Sequence, residues 1–314
     1  MLTNALFAST LLLSSAAPEL GTVDWMRDYD DARARAQREG KPLLVLFDEV
    51  PGCSTVKAYG AKVLSHPLIE EAMENLFVSV AVFNNVEGED RRILKRFEEP
   101  TWNNPVLRVL DPSNESALAD RLYGDYSVAA TARTMRDALV RSNRPVPEYL
   151  SLLAHGSDTQ VATYQMYCFW SGEVALGGVE GVVETEPGFS SGEVVRVEYD
   201  PKRVSVNELD RVADRANAKR VTNKWFSGSA KDNKYQLAHS LLRFVPMTES
   251  QSSRVNAALG RRSNPLSFLS PRQIAMYSAV KARNGEGWRT AIGSDFVASY
   301  RAAERKLGEA LVTR

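Results

Sequence analysis

The sequence predicts an α/β domain followed by an α+β domain. Two apolar runs in the first half point to this, 43–47 (LLVLF) and 77–83 (FVSVAVF). The first is unbroken, the mark of a strand buried on both faces, the second is apolar but for Ser79 and reads as another buried strand, and amphipathic helical stretches separate them. In the second half, the pattern from 159 onward runs strand, helix, strand, strand, helix. A chain of 314 residues is long enough for two domains of ordinary size.

The elements follow in order. A helix is expected over 23–39, with Asp24 as N-cap and Gly40 beyond its end. After the 43–47 strand come a turn at 48–52 and Cys53, then helical pieces over 54–63 and 66–75. The 77–83 strand leads to a charged helix over 89–97, a strand over 106–110 behind Asn104-Pro105, and a closing helix over 128–140. This alternation implies a mixed sheet with helices on both faces. The polar, proline-containing stretch RSNRPVPEYLSLLAHG marks a boundary, giving domains over 20–141 and 159–249 joined by a linker over 142–158. In the second domain, strands are expected over 164–167, 179–186 and 193–199, with helices over 170–176 and 206–217. That is the order of a ferredoxin-like split β-α-β unit. An apolar stretch over 237–245 reads as a strand or a buried helix, and a helical extension fills 250–314. Its last helix carries Phe296, Tyr300, Ala303, Leu307 and Leu311 on one face, a stripe suited to core or docking.

Composition removes several classes. Lys plus Arg equals Asp plus Glu, 39 against 39, so nothing favours nucleic acid or an anionic membrane. No stretch of the mature chain is long and apolar enough to span a bilayer. The start, 5–17 (ALFASTLLLSSAA), is a short apolar run with small residues before Pro18 and no Lys or Arg ahead of it. It reads as a secretory signal over 1–17, placing the mature chain in the periplasm or outside the cell; a cytoplasmic protein is the other reading. Two cysteines are too few for a disulfide framework. His66, His155 and His239 lack zinc-site spacing, so no metal and no cofactor are expected.

The two cysteines are the chemical feature. Each stands at a strand-to-helix junction, where unpaired N–H groups and the helix dipole favour a thiolate. Phe169 and Trp170 follow Cys168 directly, and Glu173 and Glu193 are candidate acids that could protonate an oxygen as a thiolate attacks its sulfur. By residue type alone, Cys168 also reads as a buried, unreactive cysteine.

The first domain resembles thioredoxin-like proteins: strand, cysteine turn, second strand and a proline opening a later strand come in the family's order. VPGCST, 50–55, resembles the group whose VPGCxT motif carries cysteine or selenocysteine at this position. The resemblance implies that Cys53 is the nucleophilic thiol, flanked by Pro51, Gly52 and Thr55, with Pro105 as the cis-proline beside it. Val56 stands where a second cysteine would close a local disulfide.

The second domain resembles A-type peptide methionine sulfoxide reductases. Cys168-Phe169-Trp170 with Glu173 is similar to GCFWxxE; Gly181-Val182, Thr185 and Gly188-Phe189 continue the match without a gap; Glu193, Val195, Tyr199, Asp200 and Pro201 resemble its E-x-V-x-x-x-YDP stretch. The resemblance implies that Cys168 attacks the sulfoxide sulfur, that Phe169 and Trp170 hold the methyl group, and that Glu193 donates a proton. Glu173, Phe189, Asp232 and Tyr235 would complete the substrate contacts. Oxidised methionine in peptides or proteins would be the substrate, and an external thiol, small or thioredoxin-like, the reductant. Cys53 would resolve or relay. The chain departs from the family in its loop: Phe189-Ser190-Ser191-Gly192 replaces a long segment with an active-site tyrosine, Ser190-Ser191-Gly192-Glu193 stands for GHAE, and the C-terminal resolving cysteine is absent. Three other readings remain. One is a general thiol oxidoreductase acting through Cys53 with a binding-only second domain. Another is a catalytically inert reductase domain that recognises methionine-rich protein. The third is a soft-metal binder built on Met166-x-Cys168, for which Ser171 replaces the needed second thiol.

Overall fold

The computed structural model describes residues 17–312 apart from 103–104, 156–157 and 230. The expected signal segment, except Ala17, lies outside the described residues.

The first unit runs α1 (Tyr29–Glu39), β1 (Leu43–Asp48), α2 (Ser54–Tyr59), a π turn at Gly60–Leu64, α3 (Pro67–Leu76), β2 (Val78–Phe83), α4 (Glu89–Arg96), β3 (Val106–Leu110), α5 (Val128–Arg141) and α6 (Glu148–Leu153). Strand β1 lies in the middle, parallel to β2 and antiparallel to β3. Every β1 residue is buried, because helices cover both faces of the sheet. Alternate side chains feed two cores. Leu44 and Leu46 join Leu68, Ile69 and Met135, while Leu43, Val45 and Phe47 join Tyr29, Ala32 and Ile93.

Three expectations are corrected here. Helix α1 begins at Tyr29, not at 23, because Met26 is drawn into the sheet: its N–H donates to Ser79 O at 3.0 Å and its carbonyl accepts from Ala81 N at 3.0 Å. Asp28, not Asp24, caps the helix, accepting from Asp31 N at 2.8 Å. The helix expected over 54–63 ends at Tyr59 and gives way to the π turn, where Gly60 packs so closely that a Cβ would stand 2.1 Å from Pro18 O. The 142–158 stretch is also more than a connection. It carries α6, whose Tyr149 and Leu150 are buried in the first unit's core.

The second unit runs β4 (Gln160–Met166), α7 (Phe169–Gly177), β5 (Val182–Phe189), β6 (Glu193–Tyr199), α8 (Val206–Arg215), β7 (Lys219–Val221) and β8 (Phe226–Ser227). Its antiparallel sheet has the order β7-β4-β6-β5-β8. The first four strands therefore stand 4-1-3-2, the arrangement of a split β-α-β unit. Helix α9 (Tyr235–Ala238) and a 3₁₀ turn at Leu241–Phe244 occupy the ambiguous apolar stretch. Helices α10 (Glu249–Gly260), α11 (Pro271–Ala282) and α12 (Phe296–Val312) follow, the first two opened by capping boxes, Thr248 with Gln251 and Ser270 with Gln273.

The C-terminal helices fasten the units together. Met276, Tyr300 and Ala303 enter the first unit's core, each larger side chain contributing about 1.5–3 kcal/mol of burial. Tyr300 donates to Glu71 Oε2 at 3.0 Å, and Arg301 to Glu70 Oε2 at 2.5 Å. The α12 stripe is thus a docking face on α3; the Leu311 side chain lies outside the described residues. No helix among the described residues is long and apolar enough to cross a membrane.

Candidate active site

Cys168 is the N-cap of α7, half-buried and free of any disulfide. Its carbonyl accepts the first helical bond from Gly172 N at 3.2 Å and a bond from Ser171 Oγ at 2.8 Å. Gly172 admits no side chain: a Cβ there would lie 1.9 Å from Met166 Sδ. Helix α7 therefore sits down on the end of β4, two residues before the thiol.

Glu193 is fixed by the short β5–β6 hairpin. Ser190 N donates to Gly192 O at 2.8 Å, and the tight turn sets Glu193 in register between Met166 on β4 and Phe189 on β5. Its Oε2 accepts from Phe169 N at 2.8 Å. A carboxylate is thereby held on the first N–H of α7, the peptide group next to Cys168.

The aromatic residues form a connected group. Phe169, buried, meets Trp170 edge-on at 5.8 Å and Phe189 at 5.5 Å between ring centroids. Trp170 stacks on Tyr235 at 4.2 Å, and Tyr235 on His239 at 4.1 Å. The Trp170 Nε1 donor is buried without a hydrogen-bond partner among the described residues. Tyr167, Phe189 and Phe226 stand exposed around the group. Tyr235 is thus brought to Trp170. Asp232 instead accepts from Ser229 N at 3.0 Å and Ser229 Oγ at 2.7 Å, holding a turn.

The expected substrate contact of Glu173 is corrected. Its side chain has no exposure and is engaged inside the protein. It accepts from Lys234 N at 3.1 Å, Lys234 Nζ at 3.4 Å and Thr185 Oγ1 at 3.4 Å. Burial holds its pKa above the usual carboxylate range, against the pull of the Lys234 ammonium. Lys234, itself 1% exposed, also donates to Thr185 O and to Asn233 Oδ1, which uses all three ammonium donors. Its φ of 53° is left-handed and makes it the N-cap of α9, whose first residue is Tyr235. The pair therefore ties α7 to the segment that carries Tyr235. Sequence reasoning passed over Lys234, because no local pattern marks a lysine whose partner lies 61 residues away; it weighed His239 only as a metal ligand, and the structure stacks it on Tyr235.

Cys53 is the exposed N-cap of α2. The Val50–Pro51 peptide is cis, Pro51 and Thr55 are exposed, and Gly52 donates to Glu19 Oε1 at 2.9 Å. A Cβ on Gly52 would stand 2.3 Å from Glu49 O, so the turn requires glycine. Val56, in place of a second thiol, is fully buried. Pro105 is buried, but the Asn104–Pro105 peptide, expected cis, falls outside the described residues. No described contact joins the Cys53 and Cys168 surroundings.

Asp48, at the end of β1 before this turn, went unremarked in the sequence. It is fully buried, with Oδ1 accepting from Glu49 N at 3.0 Å and Oδ2 unpartnered. Burial pushes its pKa up to about 8. The folded state thus binds the proton more tightly than the unfolded chain. The stability tied to that proton is complete below the unfolded value of about 4 and lost as pH rises through the folded value. Asp48→Asn is expected to be near neutral at about pH 4 and to stabilise by roughly 4–6 kcal/mol at about pH 9. Urea denaturation at both pH values checks this; an equal effect at the two would contradict it.

Among the described residues no group of His, Cys, Asp or Glu side chains could hold a metal ion. Fold and site together define a mixed α/β chain whose first domain is thioredoxin-like. A family model described as thioredoxin-like matches residues 24–112. The chain is also similar to a peptide methionine sulfoxide reductase of Brassica napus, 35% identical over 21% of this chain and 35% of that protein. Similarity extends to peptide methionine sulfoxide reductase A1 of Arabidopsis thaliana (32% identical, 21% of this chain, 41% of that protein) and to peptide methionine sulfoxide reductase MsrA 2 of Rhizobium meliloti (36%, 19% and 39%). The chain thus spans only about a third to two fifths of the length of these relatives.

Proposed function

We propose that this protein is a thiol oxidoreductase that reduces methionine-S-sulfoxide in peptides through Cys168. The observation that carries the reading is the Glu193 carboxylate on Phe169 N, beside Cys168 and next to the connected aromatic rings. The partial similarity to peptide methionine sulfoxide reductases supports the same chemistry.

In the reaction, the Cys168 thiolate attacks the sulfoxide sulfur and Glu193 gives its proton to the sulfoxide oxygen. The oxygen passes to Cys168, methionine leaves as the thioether, and Cys168 is left as a sulfenic acid. A first thiol condenses with it, releasing water and forming a disulfide; a second thiol cleaves that disulfide and restores Cys168. The sum is one sulfoxide and two thiols converted to one thioether, one disulfide and water. Trp170 and Tyr235 would form the apolar wall for the substrate methyl group. The motif around Cys53 supports a role as the resolving thiol, with an external thiol as final reductant.

Under excess dithiothreitol, wild type is expected to reduce a methionine-S-sulfoxide peptide. Cys168→Ser is expected to lower turnover roughly 10³-fold or more, and Cys53→Ser to leave it within about twofold. No turnover by folded wild-type protein would sink the proposal and favour a thiol oxidoreductase working through the exposed Cys53. Mass spectrometry after a single turnover without dithiothreitol distinguishes the routes of resolution: a Cys53–Cys168 disulfide supports the relay, a lasting sulfenic acid an outside thiol.

A further inference from the structure

At the junction of the two units lies a pocket of about 120 Å³, lined in part by Glu148, His155, Glu180, Gly181, Arg203 and Arg254. Helix α6 supplies one wall from the first unit's core, the turns flanking β5 and β6 supply another, and α10 supplies Arg254. Four nitrogens of its lining side chains are buried and find no partner among the described residues: Arg203 Nη1, Arg254 Nε, Arg254 Nη1 and His155 Nδ1. Buried guanidinium N–H groups are costly to leave unbonded, and native proteins almost always satisfy them.

The carboxylates nearby do not meet this need. Glu180 accepts from Arg203 Nη2 at 2.7 Å and is otherwise exposed. Asp200 holds its own turn, accepting from Lys202 N at 2.9 Å. Glu148 is exposed in the first turn of α6. Arg254 makes no ion pair and no hydrogen bond among the described residues, and its guanidinium lies over the Phe268 ring, 5.3 Å from the centroid. Burial and the Arg203 charge push His155 down to about 4, so the ring is neutral and offers a polar atom without a charge.

We propose that this pocket binds a small tetrahedral oxyanion, phosphate or sulfate, on Arg254 and Arg203. Guanidinium groups present forked donors that match such oxygens. The volume equals about four waters of liquid, room for one such ion. Bound there, the anion joins α10 to the β6–α8 turn beside His155, just beyond the end of α6, and so stabilises this junction. The inference is independent of the chemistry at Cys168.

The test is calorimetric titration of the full chain with inorganic phosphate and with sulfate, with chloride at matched ionic strength as control. Saturable binding of either oxyanion, together with a rise in Tm that chloride does not give, is expected. Arg254→Gln should weaken it about 10- to 100-fold, the loss of a charge-assisted contact. Should that variant fail to fold, Glu180→Gln serves: it removes the carboxylate competing for Arg203 and should tighten binding about threefold. No saturable binding, an equal effect of chloride, or affinity unmoved by Arg254→Gln or Glu180→Gln would each overturn the proposal.

Discussion

Replacing Glu193 by glutamine is expected to lower sulfoxide reduction about 10²- to 10⁴-fold, the usual loss when a positioned general acid is removed. Glutamine keeps an oxygen that can accept from Phe169 N, where Glu193 now bonds at 2.8 Å, so the hairpin and the start of α7 should stay in place. What it loses is the acidic proton for the departing sulfoxide oxygen. The deficit should therefore fall on kcat, with KM nearly unchanged, and alkylation of Cys168 should proceed in the variant. Steady-state kinetics with a methionine-S-sulfoxide peptide measure this. Activity within a few-fold of wild type would show that the proton comes from elsewhere and that Glu193 serves the hairpin alone.

Lys234→Met is expected to destabilise the fold by about 3–5 kcal/mol, the range for breaking a buried ion pair by removing one partner. The reason is the carboxylate left behind. Glu173 is fully buried, and without Lys234 only Thr185 Oγ1 and the residue-234 N–H remain to it. Protonation relieves an unpaired buried carboxylate, so the loss should be smaller at about pH 5 than at about pH 8. Pairing the change with Glu173→Gln removes the stranded charge and should recover a large part of the loss. Urea denaturation of the single and double variants gives the coupling directly. Loss of the Trp170–Tyr235 stacking should accompany the single change, since Lys234 caps the helix that begins with Tyr235. Near-ultraviolet circular dichroism reads that stacking. Strictly additive single changes would mean that the two side chains do not act as a pair.

Much of the fold was legible because it is written in local pattern. Apolar runs marked β1 and β2, and alternation marked β6, since a strand's burial repeats every two residues. The candidate site residues were legible for a related reason. Cys168, Phe169 and Trp170 are contiguous, and Glu193 reaches the N–H of Phe169 through one short hairpin. The start of α1 was misread because Asp24 and Asp28 are equally good caps; a backbone bond from Met26 to Ser79 decided between them.

By itself, the sequence determined six of the eight strands among the described residues, β1 to β6, and most helices, the split β-α-β order, and the two thiol-bearing junctions, all set by interactions among residues close in the chain. Tertiary structure alone decided the rest. It turned Glu173 from a candidate substrate contact into the buried partner of Lys234, placed Tyr235 on Trp170, and seated α12 on α3. It also gathered His155, Arg203 and Arg254 around one pocket. The physical reason is common to all four. A charged or aromatic side chain has the same local signature whether it faces water or is buried, and only packing against a distant segment determines which.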